Sequence, residues 1–254
     1  MSIDWRREDA ADDLAAFMDA LNLPPCHVVG ISMGSCIALQ TAVSYPDKVL
    51  SLFLISPLPL EEPREVREGR QEIYDCWVQG WRNYPDVDVT AFKDAMIGAN
   101  QLAYNNIHTP LSDALTPSPC IRLAEYNIPR AMRNYNRDRL EEYHTASVKF
   151  FADRAQHSLE KLRGLKCPVE LVHCDGDVAY PIAFAQELLE RLLDAGVDAE
   201  LDVVEGAPHF GTVTHFTERV SVSLIYGASA CTLTACVFFP DSIREYMTLS
   251  SPTR

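Results

Sequence analysis

Apolar side chains recur every three or four positions at Ala11, Leu14, Ala15, Met18 and Leu21, which predicts a helix over residues 8–21 with one buried face. Asn22-Leu23-Pro24-Pro25 breaks that pattern. The run Cys26-His27-Val28-Val29-Gly30-Ile31 follows, nearly continuous in apolar character, as expected of a strand buried on both faces. Small and apolar residues at helical spacing then continue to about Tyr45, where Pro46-Asp47 stops them, and Val49-Leu50-Ser51-Leu52-Phe53-Leu54-Ile55 is a second buried strand. Helix, strand, helix, strand in short succession implies an α/β chain whose mostly parallel sheet is joined by crossover helices.

The pattern changes between residues 61 and 164, where apolar strand runs are missing and 65–81, 90–103 and 137–162 carry helical spacing. This stretch is rich in aromatics, among them Trp77, Trp81, Phe92, Tyr135, Tyr143, Phe150 and Phe151. A helical insertion after a buried strand reads as a lid, most of whose aromatics fill its own core. Alternation returns at 167–174, a strand ended by Asp175-Gly176-Asp177. A helix from 182 to about 195 and a shorter strand at 199–204 follow, the latter closed by Gly206-Ala207-Pro208-His209. Residues 1–60 and 165–219 are therefore assigned to an α/β core, 61–164 to a helical lid, and 220–254 to an atypical tail. Within the tail, twenty consecutive uncharged residues (220–239) have the length of a membrane span, but six are Ser, Thr or Gly. That polarity favours a packed terminal element or a poorly ordered tail.

Composition narrows the function. The 254 residues suffice for one substantial core, and a net charge of -14 argues against a nucleic-acid partner. The eight cysteines are scattered without metal-ligand spacing, so neither a metal nor another cofactor is expected. They fit a reducing, cytoplasmic setting. The N-terminus, lacking an apolar stretch, does not read as a signal peptide.

The chemistry concentrates at Gly30-Ile31-Ser32-Met33-Gly34, which lies between the first strand and the helix after it. A strand that delivers a serine to a sharp turn, with a helix N-terminus behind it, is the arrangement of a nucleophile elbow. A serine hydroxyl needs a base, and that base needs an acceptor to fix its tautomer. Active residues of parallel sheets gather past the C-terminal ends of strands. Asp177 and His209 stand there, and the order Ser32, Asp177, His209 is the order such elbows require. Asp175 rivals Asp177, and His215 rivals His209. His173 reads as a satisfied core histidine, while His27, His108, His144 and His157 read as surface or locally bonded groups.

These segments, with Tyr45-Pro46-Asp47-Lys48-Val49, Leu54-Ile55-Ser56-Pro57, Leu165-Lys166-Cys167-Pro168 and Gly206-Ala207-Pro208-His209-Phe210, resemble the α/β-hydrolase superfamily in its lidded esterase and lipase-like branch, over residues 8 to about 216. The resemblance implies that Ser32 is the nucleophile, Asp177 the acid, His209 the base and the Met33 backbone N–H one oxyanion donor. A serine at the elbow, where related epoxide hydrolases and haloalkane dehalogenases carry aspartate, implies acyl chemistry on a small or medium hydrophobic ester. The chain departs from the family at both ends. Only some 25 residues precede the elbow strand, so the fold is expected to be N-terminally incomplete. The loop giving a second oxyanion N–H is missing, and an apolar sheet edge is left unpaired, a route to a homo-oligomer. The tail replaces the family's closing amphipathic helix. A partial gene model, or a short form relying on a partner, would have this form. The alternative to a serine hydrolase is thus a truncated, non-catalytic or ligand-binding protein of the same fold.

Overall fold

The computed structural model describes residues 5–105, 128–214 and 232–235. Helix α1 (Arg7–Ala20) leads into strand β1 (Cys26–Ile31), helix α2 (Met33–Ser44) and strand β2 (Val49–Ile55). Helices α3 (Arg64–Trp81) and α4 (Val89–Tyr104) follow, and the chain returns to the sheet at β3 (Val169–Cys174), α5 (Ile182–Asp194), β4 (Ala199–Val204) and β5 (Thr232–Ala235). The five strands lie in the order β4-β3-β2-β1-β5, and every neighbouring pair is parallel.

Side chains alternate across the sheet with a period of two, so each central strand feeds two cores. Val28, Leu52, Leu54, Val169 and Leu171 face one way, onto Ala38, Leu39 and Ala42 of α2 and Leu188 and Leu192 of α5. Val29, Ile31, Phe53, Ile55, Val172 and Cys174 face the other way with Val204 and Ala207. The pairing of Val28 with Leu52 and of Val29 with Phe53 keeps the two sets apart. Nine of the twelve residues of α2 are buried, as a helix must be when it is apolar all round. Its outer side is covered by α1, whose Ala10 joins Met33 and Ile37 in one cluster.

Among the described residues between β2 and β3 there is no strand. Trp77, Trp81, Phe92, Tyr135 and Tyr143 form a cluster of their own there, while Phe150 and Phe151 pack back onto Met33 and Ile37. Asp88 caps α4 by accepting from the Thr90 and Ala91 backbone N–H groups. The single helix expected over 137–162 is not found. Its helical residues run from Arg137–Arg139 through Leu140–His144, a π-turn at Thr145–Lys149 and Phe150–Ala152, and resume only at Leu159–Leu162. Two pulls explain the break: Ser158 caps the last piece through the Lys161 N–H, and the Arg154 guanidinium turns inward to the buried Glu62 carboxylate at 2.9 Å.

The unpaired edge expected at β1 is also corrected. Thr232–Ala235 pairs in parallel with residues 27–30, so a segment of the chain's own tail covers that edge. Residues 220–239 thereby contribute a strand to the sheet. The opposite edge strand, β4, carries Glu200 and Asp202, charges that discourage strand addition. No helix among the described residues is long and apolar enough to cross a membrane.

Candidate active site

Ser32 stands between β1 and α2 at φ 53° and ψ -116°, a backbone conformation that side chains rarely adopt. The turn is sharp because β1 and the first turn of α2 touch. A Cβ on Gly30 would lie 2.4 Å from the Gly34 carbonyl oxygen and 2.8 Å from the Ser35 Cα. Gly30→Ala is therefore expected to destabilise the fold by about 3 kcal/mol or more, read as a lower urea midpoint. Gly69→Ala is the control: it lies in α3 with nothing within 4 Å of the added atom, and helix propensity makes it neutral to stabilising.

Asp177 follows β3 and His209 follows β4, so both loops meet Ser32 at the C-terminal ends of their strands. His209 Nε2 is 2.7 Å from Ser32 Oγ, and His209 Nδ1 is 2.5 Å from Asp177 Oδ2. A proton on Nδ1 donated to Asp177 leaves Nε2 as acceptor for the Ser32 hydroxyl. Asp177 Oδ1 accepts from the backbone N–H groups of Ala179 and Tyr180 at 2.9 and 3.0 Å. All three side chains are shielded, with residue exposures of 7% for Ser32, 6% for Asp177 and 4% for His209. Met33 opens α2, so its N–H has no acceptor within the helix and stands at the positive end of the dipole. Asp175 does not reach His209. It accepts from the Gly206 N–H and so ties the loop after β3 to the loop after β4.

A sequence model of the alpha/beta hydrolase fold matches residues 2–215. The chain belongs to the α/β-hydrolase family. It is 42% identical over 52 residues to RutD of Pantoea ananatis, named as a candidate carbamate hydrolase, over 20% of this chain and 19% of that one. It is 49% identical over 103 residues to the dihydrolipoyllysine-residue acetyltransferase component of the acetoin cleaving system of Cupriavidus necator, over 41% of this chain and 27% of that one. The fold of esterase E22 matches with a TM-score of 0.65 at 15% identity, covering 87% of this chain and 66% of that one. The matches thus span a fifth to a quarter of the curated relatives and just under two thirds of the esterase, and at 15% identity the likeness to the esterase is one of fold alone.

Residues that spacing does not reveal hold this α/β-hydrolase site together. Ser56, at the end of β2, donates its hydroxyl to the His209 carbonyl at 2.5 Å. The end of α4 clamps both loops: Asn105 Nδ2 donates to the Gly176 carbonyl at 2.5 Å, and the Phe210 N–H donates to the Ala103 carbonyl at 3.0 Å. The Tyr180 ring lies 5.3 Å from the His209 ring, and its hydroxyl donates to Glu62 Oε1 at 2.9 Å and accepts from Arg70 at 2.9 Å. Burial, with the Glu62 charge, raises the Tyr180 hydroxyl well above its ordinary range, so it stays protonated.

The other histidines divide. His27 meets Ser51 Oγ at 2.6 Å, and the half-buried His144 meets Gln71 Oε1 at 3.3 Å. His173 is buried in β3, yet its Nε2 has no partner among the described residues, contrary to the satisfied core histidine expected. Burial lowers its pKa. His108 and His215 lie outside the described residues. His157 is not on the surface: it is 7% exposed, because the break after Ala152 folds it inward. Burial, then the charges of Arg7 and Lys161, pushes its pKa down from 6.5 to about 4. The folded state thus favours neutral His157, while the unfolded chain takes up its proton below about pH 6.5. Acidification from pH 7 to 4.5 is expected to remove about 2 to 3 kcal/mol of stability through this group. His157→Gln should flatten that share of the pH dependence, as urea midpoints at the two pH values would show.

Among the described residues no three His, Cys, Asp or Glu side chains are grouped to hold a metal ion, and Cys36, Cys76, Cys167 and Cys174 are free thiols.

Proposed function

We propose that the chain is a serine hydrolase that cleaves a small or medium hydrophobic ester through an acyl-enzyme. The observation that carries the reading is the buried chain of hydrogen bonds from Ser32 Oγ to His209 to Asp177, at 2.7 and 2.5 Å, on a strained strand-to-helix turn. In this reading His209 Nε2 takes the Ser32 proton as Oγ attacks the ester carbonyl. The Met33 N–H and the α2 dipole stabilise the developing oxyanion. His209 then returns the proton to the departing alcohol, and water, deprotonated in turn by His209, releases the acid and restores Ser32. Asp177 keeps the Nδ1 tautomer and balances the imidazolium.

The helical residues between β2 and β3 serve as the lid, with an apolar core of their own. No metal or cofactor is needed, since these side chains carry every proton moved. The acidic surface disfavours nucleic acid, and the free thiols suit a cytoplasmic setting. A serine at the elbow supports acyl chemistry, for which esters are the default substrate.

Rapid mixing with p-nitrophenyl butyrate tests the reading. A burst of about one nitrophenolate per protein molecule, followed by slower steady turnover, is expected. Turnover of equal rate in wild type and Ser32→Ala would overturn it.

A further inference from the structure

A cleft apart from the triad lies between α1, α2, α5 and the 154–157 turn. Its walls are largely aliphatic, with Leu39, Leu58 and Leu188 among them, and neither Ser32 nor His209 lines it. Arg7, Arg154, His157 and Arg191 line the same space.

The charges there do not balance. The Glu62 carboxylate is buried and shared by two guanidiniums, Arg70 at 2.8 Å and Arg154 at 2.9 Å, whose side chains are 19% and 2% exposed. Tyr180, the fourth member, stays neutral. One positive charge is left over in the interior, a costly arrangement unless a counter-ion approaches. Arg154 spends Nη2 on Glu62 and brings Nη1 to 3.6 Å from the Cys36 sulfur, while its buried Nε has no partner among the described residues. Arg191 donates Nη2 to the His157 carbonyl at 2.7 Å, and its buried Nε also lacks a partner there, as does His157 Nδ1. Arg7 meets Glu8 through Nε at 3.0 Å, whereas Arg154 and Arg191 each keep a buried Nε without a partner among the described residues. That several cations gather on one cleft is unexpected in a chain of net charge -14.

We propose that this cleft binds a small aliphatic carboxylate, its head on the free donors of Arg154 and Arg191 and its tail along the leucines. Arg154 and Arg191 together supply the positive charge for an anionic head, and the apolar walls favour an alkyl chain over a fully hydrated ion such as phosphate. Guanidinium donors suit a carboxylate, and charge-assisted bonds of this kind are the stronger ones.

Calorimetric titration of the wild-type protein with hexanoate tests the proposal without any need for turnover, so it stands or falls separately from the ester-hydrolase reading. Saturable binding of one equivalent is expected. Hexanamide, the same size without the charge, should bind at least tenfold more weakly. Arg191→Gln, at a half-buried site remote from the triad, should weaken hexanoate at least tenfold while the protein stays folded and its reaction with a fluorophosphonate is unchanged. The proposal is overturned if hexanoate does not bind at millimolar concentrations, if hexanamide binds as well, if Arg191→Gln leaves the affinity intact, or if inorganic phosphate binds more tightly than hexanoate.

Discussion

Ester turnover in Ser32→Ala is expected to fall by roughly a millionfold, to the level of background hydrolysis in the assay. The size of the loss follows from the proposed mechanism, in which the three side chains work as one unit. Without Oγ there is no covalent intermediate, and the 2.7 Å contact to His209 has no proton to deliver. His209→Ala should cost about as much as Ser32→Ala, and the double variant should be no worse than either, since members of one unit do not add. Asp177→Asn should lose roughly 10⁴-fold. Its side-chain amide would face His209 Nδ1, and the imidazole would settle in the tautomer that presents a proton to Ser32 instead of accepting one. Initial rates with p-nitrophenyl butyrate check the series, and unchanged melting curves would assign the losses to chemistry. A loss of less than tenfold in Ser32→Ala would contradict the account.

The second large effect concerns stability. Glu62→Ala would leave Arg70 and Arg154 buried without a counter-charge and strip the Tyr180 hydroxyl of its acceptor. Breaking a buried ion pair from one side typically costs about 3 to 5 kcal/mol. In a domain of this size that is a large share of total stability, and it should lower Tm by roughly 10 °C. The effect should reach the site as well, because Tyr180 donates its backbone N–H to Asp177 and packs against His209. Removing the whole network by Glu62→Leu with Arg70→Met, Arg154→Met and Tyr180→Phe should recover most of the stability, since no buried charge or hydroxyl is then left alone. A Glu62→Ala protein within about 0.5 kcal/mol of wild type, by urea denaturation, would show that the carboxylate is not the counter-ion of this pair.

The parts of the fold that could be read from the sequence are those written in local periodicity. Residues 49–55 and 199–204 stand out as runs of strand character and are β2 and β4 with those bounds. Ser32, Asp177 and His209 were accessible because a parallel sheet gathers residues from its strand ends, and each follows a recognisable run. What escaped depends on distance along the chain. β5 is a four-residue strand of Thr, Leu and Ala that announces nothing locally, yet it pairs with β1 some 200 residues earlier. Glu62 meets Arg154 across 92 residues and Tyr180 across 118, and no spacing rule links them. Once Arg154 is drawn inward, the helix expected over 137–162 breaks and His157 is buried with it. Ser56 and Asn105 support the loops through carbonyl groups, contacts that depend on backbone placement and not on a residue pattern.

Peptide mass spectrometry after reaction with a fluorophosphonate addresses the central claim most directly, because the reagent reports an activated serine whatever the natural substrate is. A single phosphonyl adduct is expected on the peptide carrying Ser32, absent from Ser32→Ala and formed far more slowly in His209→Ala. Folded wild-type protein that stays unlabelled, or an adduct on another residue, would contradict it.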